Sequence, residues 1–215
     1  MTGTTCAPAA TVAWWVVVPV KGGSRAKSRL ALPPGVDRRE LARAIALDVV
    51  SAAVATVGAG HVVVVTSSRR VGAACRDDGA HWVPDPHAGL DAAVRAGGRY
   101  AAAHGAAAVA VLLGDVAAVR RVDLADALGA AATLPRAVVP DHAGTGTALL
   151  TAVSPADLRP AFGVGSAARH TAAGHARLDL PLPRLRTDVD DAQSLEAARA
   201  LGLGRHSAAV LAGAG

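Results

Sequence analysis

Aromatic rings and cysteines are scarce in this chain of 215 residues, which has one Phe, one Tyr, three Trp and two Cys. Few rings are available to stack on bases and the arginines are scattered, which argues against nucleic acid as a partner. Cys6 and Cys75 lie far apart, so we predict free thiols in a reducing cytoplasm. No apolar run reaches the roughly 20 residues of a membrane span, and residues 1–12 lack the basic start of a signal peptide. We therefore expect a soluble cytoplasmic protein with no membrane partner.

Lysine is also scarce: only Lys21 and Lys27 stand among the 22 lysine and arginine residues. Both lie within the segment Val-Pro-Val-Lys-Gly-Gly-Ser-Arg-Ala-Lys-Ser-Arg-Leu, which follows an apolar run. Because the chain uses arginine elsewhere, the two nearby lysines indicate that a compact ammonium group is required at these positions. The alternative is an ordinary solvated loop. A strand that opens into a cationic, glycine-containing loop is typical of phosphate binding. The loop is not a P-loop, since Ala26 precedes Lys27 where that motif has glycine.

The hydrophobic pattern predicts one α/β domain. Strands alternate with helices, which is typical of a three-layer fold with a mostly parallel central sheet. We assign residues 1–12 to a disordered N-terminus, 13–203 to the domain and 204–215 to a flexible tail. Strands are predicted at 13–20, 61–66, 80–83, 107–113, 136–140 and 148–153, with a last short strand ending at 185–186. Helices are predicted at 37–57, 70–75, 90–104, 122–132, 166–174 and 193–201.

Three aspartates follow predicted strands. Asp115 ends the strand at 107–113, and Asp188 and Asp190 are separated by one residue, so their side chains face the same way in extended chain. Ligands bind at the carboxyl ends of strands in such sheets. Carboxylate oxygens suit Mg²⁺, which shares its shell with substrate phosphates. The alternative is that Asp188 or Asp190 merely caps the final helix. The eight histidines show no close zinc-ligand spacing.

Two segments rich in small residues complete the candidate site. The turn Asp-His-Ala-Gly-Thr-Gly-Thr at 141–147 offers backbone N–H groups and hydroxyls to an anion, or is a plain hairpin loop. The segment Phe-Gly-Val-Gly-Ser-Ala-Ala-Arg-His at 162–170 allows close approach of the backbone to a ligand, with Ser166 as a possible helix cap and Arg169 as an anion partner. Its alternative is a glycine-rich connector. His170 either assists binding or is simply exposed.

Together these motifs resemble the guanylyltransferases of deazaflavin coenzyme (factor 420) biosynthesis, which act on 2-phospho-L-lactate or phosphoenolpyruvate. The resemblance covers about residues 14–203. It rests on Val-Pro-Val-Lys with Ala-Lys-Ser-Arg-Leu, on Gly-Asp, on Pro-Asp with Gly-Thr-Gly-Thr-Ala-Leu-Leu, on Phe-Gly-x-Gly-Ser-x-x-x-His and on Asp-Val-Asp. It implies a nucleotidyltransferase fold of the glycosyltransferase-A type and transfer of GMP from GTP to a small phosphorylated carboxylic acid.

The resemblance also implies roles for individual residues. Lys21, Arg25 and Lys27 would contact the GTP phosphates. Asp115, Asp188 and Asp190 would hold Mg²⁺. Thr147, Gly163 and Ser166 would bind the acceptor. Lys21, Lys27 and Asp115 would be the catalytic residues among these.

The chain departs from the family pattern at three places. Asp115-Val116-Ala117 replaces the usual Asp-Leu-Pro. Asp188-Val189-Asp190-Asp191-Ala192 replaces Asp-x-Asp-Thr-Pro, and Leu90-Asp91 replaces Leu-Asn. Two other functions therefore stay open: another nucleotidyltransferase, similar to the molybdenum-cofactor guanylyltransferases, or a GTP-binding adaptor without activity. The acceptor also stays open between phosphoenolpyruvate, which we favour, 2-phospho-L-lactate and 3-phosphoglycerate. Hand-over of the product to a downstream transferase is expected, from either a monomer or a homodimer.

Overall fold

A twisted sheet organises the chain in the computed structural model, which describes residues 12–21, 32 and 35–213. Within these residues, seven strands lie in the order β3-β2-β1-β4-β6-β5-β7. All neighbouring pairs are parallel except the two that involve β6, which is antiparallel to β4 and β5. The strands are β1 Trp14–Pro19, β2 Val62–Val65, β3 His81–Val83, β4 Ala108–Leu112, β5 Arg136–Pro140, β6 Thr147–Ala152 and β7 Ala176–Arg177. The predicted α/β fold with a mostly parallel sheet is confirmed.

Helices cover both faces of the sheet because the central strands are apolar on both sides. In β1, Val16 and Val18 join one hydrophobic cluster, whereas Trp15 and Val17 join another on the opposite face. The first cluster includes residues of α1 and α4, and the second includes residues of α3. The helices are α1 Arg38–Val57, α2 Arg69–Asp77, α3 Leu90–Ala103, α4 Arg121–Ala131, α5 Ser166–Ala172, α6 Pro183–Arg186, α7 Ala192–Leu201 and α8 Arg205–Ala212.

Side-chain caps fix where two of the helices begin. Asp37 accepts a hydrogen bond from the backbone N–H of Glu40 at 2.8 Å and starts α1, as predicted. Asp191 accepts from the N–H of Ser194 at 2.8 Å and starts α7, with Ser194 completing a capping box. Because Asp191 caps α7, the two aspartates before it are left for another role.

The predicted strand ending at residues 185–186 is wrong, because this segment forms the short helix α6. Pro183 occupies its first turn, where a proline is compatible with helical φ and its missing N–H is not needed. Leu185 is fully buried in the core. The Arg186 guanidinium donates to the backbone carbonyls of Pro140, Asp141 and Leu180. Closing one helical turn brings both side chains to these partners.

The prediction of a flexible tail also differs from the structure, in which residues 205–212 form α8 against α1. Asp48 is buried within α1 and accepts hydrogen bonds from the N–H groups of His206 and Ser207, both at 2.9 Å. The Ser207 hydroxyl donates to the same carboxylate at 2.6 Å. Val210 and Leu211 pack against the cluster that contains Leu41 and Ile45. A buried carboxylate that organises the start of α8 left no signal in the hydrophobic pattern. The predicted disordered segment 1–12 falls almost wholly outside the described residues.

None of the helices in the described part of the chain is long and apolar enough to cross a lipid bilayer.

Candidate active site

A cavity of about 460 Å³ opens at the carboxyl ends of the parallel strands. Lys21 follows β1 and Asp115 follows β4 on its wall, while the antiparallel β6 starts there with Thr147. The segment before α7 contributes Asp188 and Asp190, and the start of α5 contributes Ser166. Strand ends and the segments before α5 and α7 therefore bring Lys21, four aspartates and three hydroxyl side chains to one cavity, at the edge of the sheet where ligands bind in folds of this kind.

Asp115, Asp188 and Asp190 converge, as the sequence predicted. Each offers a carboxylate oxygen, and these oxygens all lie within 4.8 Å of one another. The backbone accounts for the arrangement: the N–H of Val189 donates to the carbonyl of Asp115 at 3.0 Å, and the Val189 side chain is fully buried. With Val189 directed into the core, its two neighbours in extended chain face the cavity. The alternative role as helix caps is excluded, since Asp191 caps α7.

The three carboxylates are electrostatically strained. Burial, together with the negative charges of Asp115 and Asp190, raises the pKa of Asp188 to about 6. A cluster of hard anionic oxygens at this spacing fits a divalent cation such as Mg²⁺, which would neutralise the repulsion. The donor set therefore suits the metal that the sequence motif predicted, while the metal itself belongs to the proposal below.

Lys21 is exposed and lies where three cavities meet. The second cavity, of about 410 Å³, is also lined by Arg39, Arg43 and Arg70. Sequence reasoning missed these arginines because nothing distinguishes them from the others in the chain. Arg25 and Lys27, which were predicted to contact the same phosphates, lie outside the described residues.

The third cavity, of about 200 Å³, adjoins Lys21 on its other side and is lined by Asp85, His87 and Gly89. Asp85 accepts a hydrogen bond from the backbone N–H of His87 at 2.8 Å. His87 has a φ of 57°, which is uncommon for a residue with a side chain. The tight turn after β3 thus forms one wall of the space around Lys21.

Thr147, Gly163 and Ser166 line the same main cavity as Lys21. The Ser166 hydroxyl donates to Thr147 Oγ1 at 2.9 Å, and both side chains are buried. Gly163 and Gly165 have φ values of 117° and 71°, so the loop that presents Ser166 needs glycine at both positions. Ser166 does not cap α5, as the sequence had suggested: Gly165 holds the cap position, and the Ser166 hydroxyl is bound to Thr147.

The turn at 141–147 differs from the predicted anion cradle. Its aspartate already takes the backbone groups: Asp141 accepts from the N–H of Thr145 at 3.0 Å and from the N–H of Gly146 at 2.9 Å. The N–H of Gly144 is bound to the Asp141 carbonyl. An aspartate at the start of a tight turn competes for these donors more effectively than a distant ligand. The turn therefore positions Thr147, while its backbone N–H groups at 144–146 are already hydrogen-bonded and are not available to an anion.

Two charged residues hold the loop before α5: Asp91, which departs from the family pattern, and Arg169, which was predicted to bind an anion. Asp91 accepts a hydrogen bond from the backbone N–H of Phe162 at 2.9 Å. Arg169 donates through Nε to the carbonyl of Ala161 at 3.0 Å, which differs from its predicted role as an anion partner. Asp91 thus joins the start of α3 to the loop that carries Gly163.

Comparison with known proteins also indicates a nucleotidyltransferase. A family model described as "MobA-like NTP transferase domain" matches residues 39–182. The phosphoenolpyruvate guanylyltransferase of Geodermatophilus obscurus is 46% identical over 209 residues, covering 94% of this chain and 95% of that protein. The enzyme of the same name from Streptomyces coelicolor is 44% identical over 208 residues, covering 93% and 96%.

A nucleotidyl transferase structure from a Methanothermobacter species superposes with a TM-score of 0.59 at 19% identity, covering 87% of this chain and 97% of that one. At this identity the likeness concerns the fold alone. The sequence relatives carry the assignment further, because they match nearly end to end. The chain belongs to the phosphoenolpyruvate guanylyltransferase family and contains a MobA-like nucleotidyltransferase domain.

Proposed function

We propose that the protein transfers GMP from GTP to phosphoenolpyruvate and releases pyrophosphate. The observation that carries the proposal is one cavity lined by the three converging carboxylates, by Lys21 and by the residues Thr147 and Ser166, whose hydroxyls are hydrogen-bonded to each other. The names of the sequence relatives support both the nucleotide and the acceptor. The site has the groups to hold two negatively charged substrates beside each other.

The reaction needs few protein groups. A phosphate oxygen of the acceptor attacks the α-phosphorus of GTP, and the bond from that phosphorus to the oxygen bridging to the β-phosphate breaks. The attacking oxygen is already anionic, so no general base is required. The protein's task is to align the two substrates and to offset their charge. The two electrons of the broken bond leave with pyrophosphate.

The residues divide this task. Asp115, Asp188 and Asp190 would hold Mg²⁺, which when bound offsets the negative charge of the phosphates. Lys21, which lines the same cavity, would donate to the phosphates. Arg25 and Lys27, which lie outside the described residues, are proposed from the sequence motif alone to contact the same phosphates. Thr147 and Ser166 would bind the acceptor, and Gly163 allows the backbone to approach it closely. Lys21, Lys27 and Asp115 are the residues we propose to act directly at the reacting phosphates.

Arg39, Arg43 and Arg70 extend the positive side of the site beyond Lys21. Guanidinium groups bind phosphate oxygens in pairs, so these side chains suit the distal end of a triphosphate. The proposal further includes a cytoplasmic location and consumption of the product by a downstream transferase of deazaflavin coenzyme synthesis, as the sequence resemblance implies.

The test is pyrophosphate release by the purified protein with Mg²⁺ and GTP. Phosphoenolpyruvate, 2-phospho-L-lactate and 3-phosphoglycerate are supplied in separate reactions, with ATP replacing GTP as the nucleotide control. We expect the largest kcat/KM with GTP and phosphoenolpyruvate. A larger value with 2-phospho-L-lactate would reassign the acceptor. GTP binding without pyrophosphate from any acceptor would support the inactive adaptor instead.

A further inference from the structure

A buried histidine lies directly behind the acceptor side of the cavity. His170 belongs to α5 and is completely shielded from solvent. Its Nδ1 is 2.9 Å from Thr147 Oγ1, and its Nε2 is 2.9 Å from the backbone nitrogen of Ala161. The Phe162 ring contacts the imidazole edge-on, with 4.9 Å between ring centroids. The ring is therefore held on both nitrogens and on one edge.

These contacts fix the position of the proton on His170. The Ala161 N–H can only donate, so Nε2 must be an unprotonated acceptor. A neutral imidazole then carries its proton on Nδ1 and donates it to Thr147 Oγ1. Burial lowers the pKa of His170 to about 4, with a further contribution from His175, so the ring is neutral near pH 7.

The protonation of His170 decides what the Thr147–Ser166 hydroxyl pair can offer to a ligand. The pair has two hydroxyl protons, and one of them is used in the bond between Oγ of Ser166 and Oγ1 of Thr147. Because His170 supplies its own proton to Thr147, the second hydroxyl proton is left over. Both hydroxyls line the cavity, so the remaining proton is directed there. If the His170 proton were on Nε2 instead, Thr147 would have to donate its hydroxyl proton to Nδ1. No hydroxyl proton of the pair would then remain for a ligand.

We propose that His170 is a positioning residue, which by donating from Nδ1 to Thr147 makes the Thr147–Ser166 hydroxyl pair a hydrogen-bond donor to an anionic oxygen of the acceptor. The inference rests on the proposed function for the identity of that acceptor. Asp91 supports the arrangement, because its bond to the N–H of Phe162 holds the segment that sets the Nε2 contact. A fixed donor costs no reorganisation when the anion binds.

Steady-state kinetics with three variants test this role. In His170→Leu the Thr147 hydroxyl keeps its proton but loses the Nδ1–H that orients it, so KM for phosphoenolpyruvate should rise about 3- to 10-fold. KM for GTP should change less than about threefold. His170→Asn places an amide N–H near the position of Nδ1 and should recover most of the loss. His104→Asn is the control, since His104 is exposed at the end of α3 and lines none of the three cavities that adjoin Lys21.

Circular dichroism of each variant checks that it is folded before its kinetics are interpreted. An unchanged KM for phosphoenolpyruvate in folded His170→Leu would overturn the inference, and so would His170→Asn behaving like His170→Leu. If the wild-type protein releases no pyrophosphate with any acceptor, the proposed function fails independently of His170.

Nitrogen-15 NMR of the histidine rings tests the inference without turnover. With His170→Asn used to assign its signals, we expect a protonated Nδ1 and an unprotonated Nε2 in the substrate-free protein. A proton on Nε2, or on both nitrogens at neutral pH, would overturn it.

Discussion

The carboxylates of Asp115, Asp188 and Asp190 repel one another whenever no cation lies between them. Removing one charge should therefore stabilise the metal-free protein while damaging its function. Burial first, and then the charges of Asp115 and Asp190, raise the pKa of Asp188 from 3.8 to about 6, and each pKa unit corresponds to about 1.4 kcal/mol. Ionised Asp188 thus lowers the stability of the fold by up to about 3 kcal/mol at neutral pH. Because this carboxyl is partly exposed, solvent screening reduces the expected gain to about 1–2 kcal/mol.

Urea unfolding at neutral pH measures this gain. With EDTA present, Asp188→Asn should unfold at a higher urea concentration than the wild type, with an unchanged slope. Adding Mg²⁺ should stabilise the wild type by binding the folded state, and should stabilise the variant much less. Asp126→Asn is the control, because Asp126 is exposed on α4 away from the cavity. Lower stability of Asp188→Asn in EDTA would refute the argument that the cluster is strained without a cation.

Three other outcomes follow from single contacts. Lys21→Arg preserves the charge but not the compact ammonium, and should raise KM for GTP about tenfold or more, whereas an unchanged KM would remove the requirement for lysine. Asp48→Asn should lower the free energy of unfolding by about 2–3 kcal/mol, because three hydrogen-bond donors at the start of α8 lose a buried anionic acceptor. Ser207→Ala removes only one of these donors and should lower the free energy of unfolding by about 1 kcal/mol. Equal decreases in the two variants would contradict this explanation. Burial, with a further contribution from His175, lowers the folded-state pKa of His170 to about 4. Its contribution to stability is therefore complete above about pH 6.5 and is lost toward pH 4, by up to about 3 kcal/mol. His170→Asn should show a shallower loss of stability in urea unfolding across that range, and a parallel loss would assign the acid sensitivity to other groups.

The fold was largely predictable because its central strands are continuous apolar runs. β1, β2 and β4 are buried on both faces, so their Val-rich segments identified them without tertiary information. Where a helix depends on contacts with residues far away in the chain, its formation could not be predicted from the sequence. α8 depends on a carboxylate in α1, and the turn of α6 depends on carbonyls from other segments that Arg186 contacts.

The residues of the candidate site were likewise predictable only in part. Asp115 was predictable because it follows a parallel strand, whose carboxyl end lies at the edge of the sheet where ligands bind. Asp188 and Asp190 follow the helix α6 and not the predicted strand, so only their spacing of two residues in extended chain pointed correctly to their convergence. The burial of His170 was not, since the spacing of one histidine carries no information about which side of a helix faces the core. Asp141 was also misjudged, because its carboxylate binds its own turn and so removes the amides that the turn seemed to offer.

The central claim is that three carboxylates and a metal ion activate transfer of GMP in this cavity. Single-turnover pyrophosphate release from GTP and phosphoenolpyruvate, at saturating Mg²⁺, tests it most directly. We expect Asp115→Asn and Asp190→Asn to reduce the rate by about 100-fold or more, with far-ultraviolet circular dichroism unchanged and Asp126→Asn at the wild-type rate. Near-normal rates in both site variants would contradict the account.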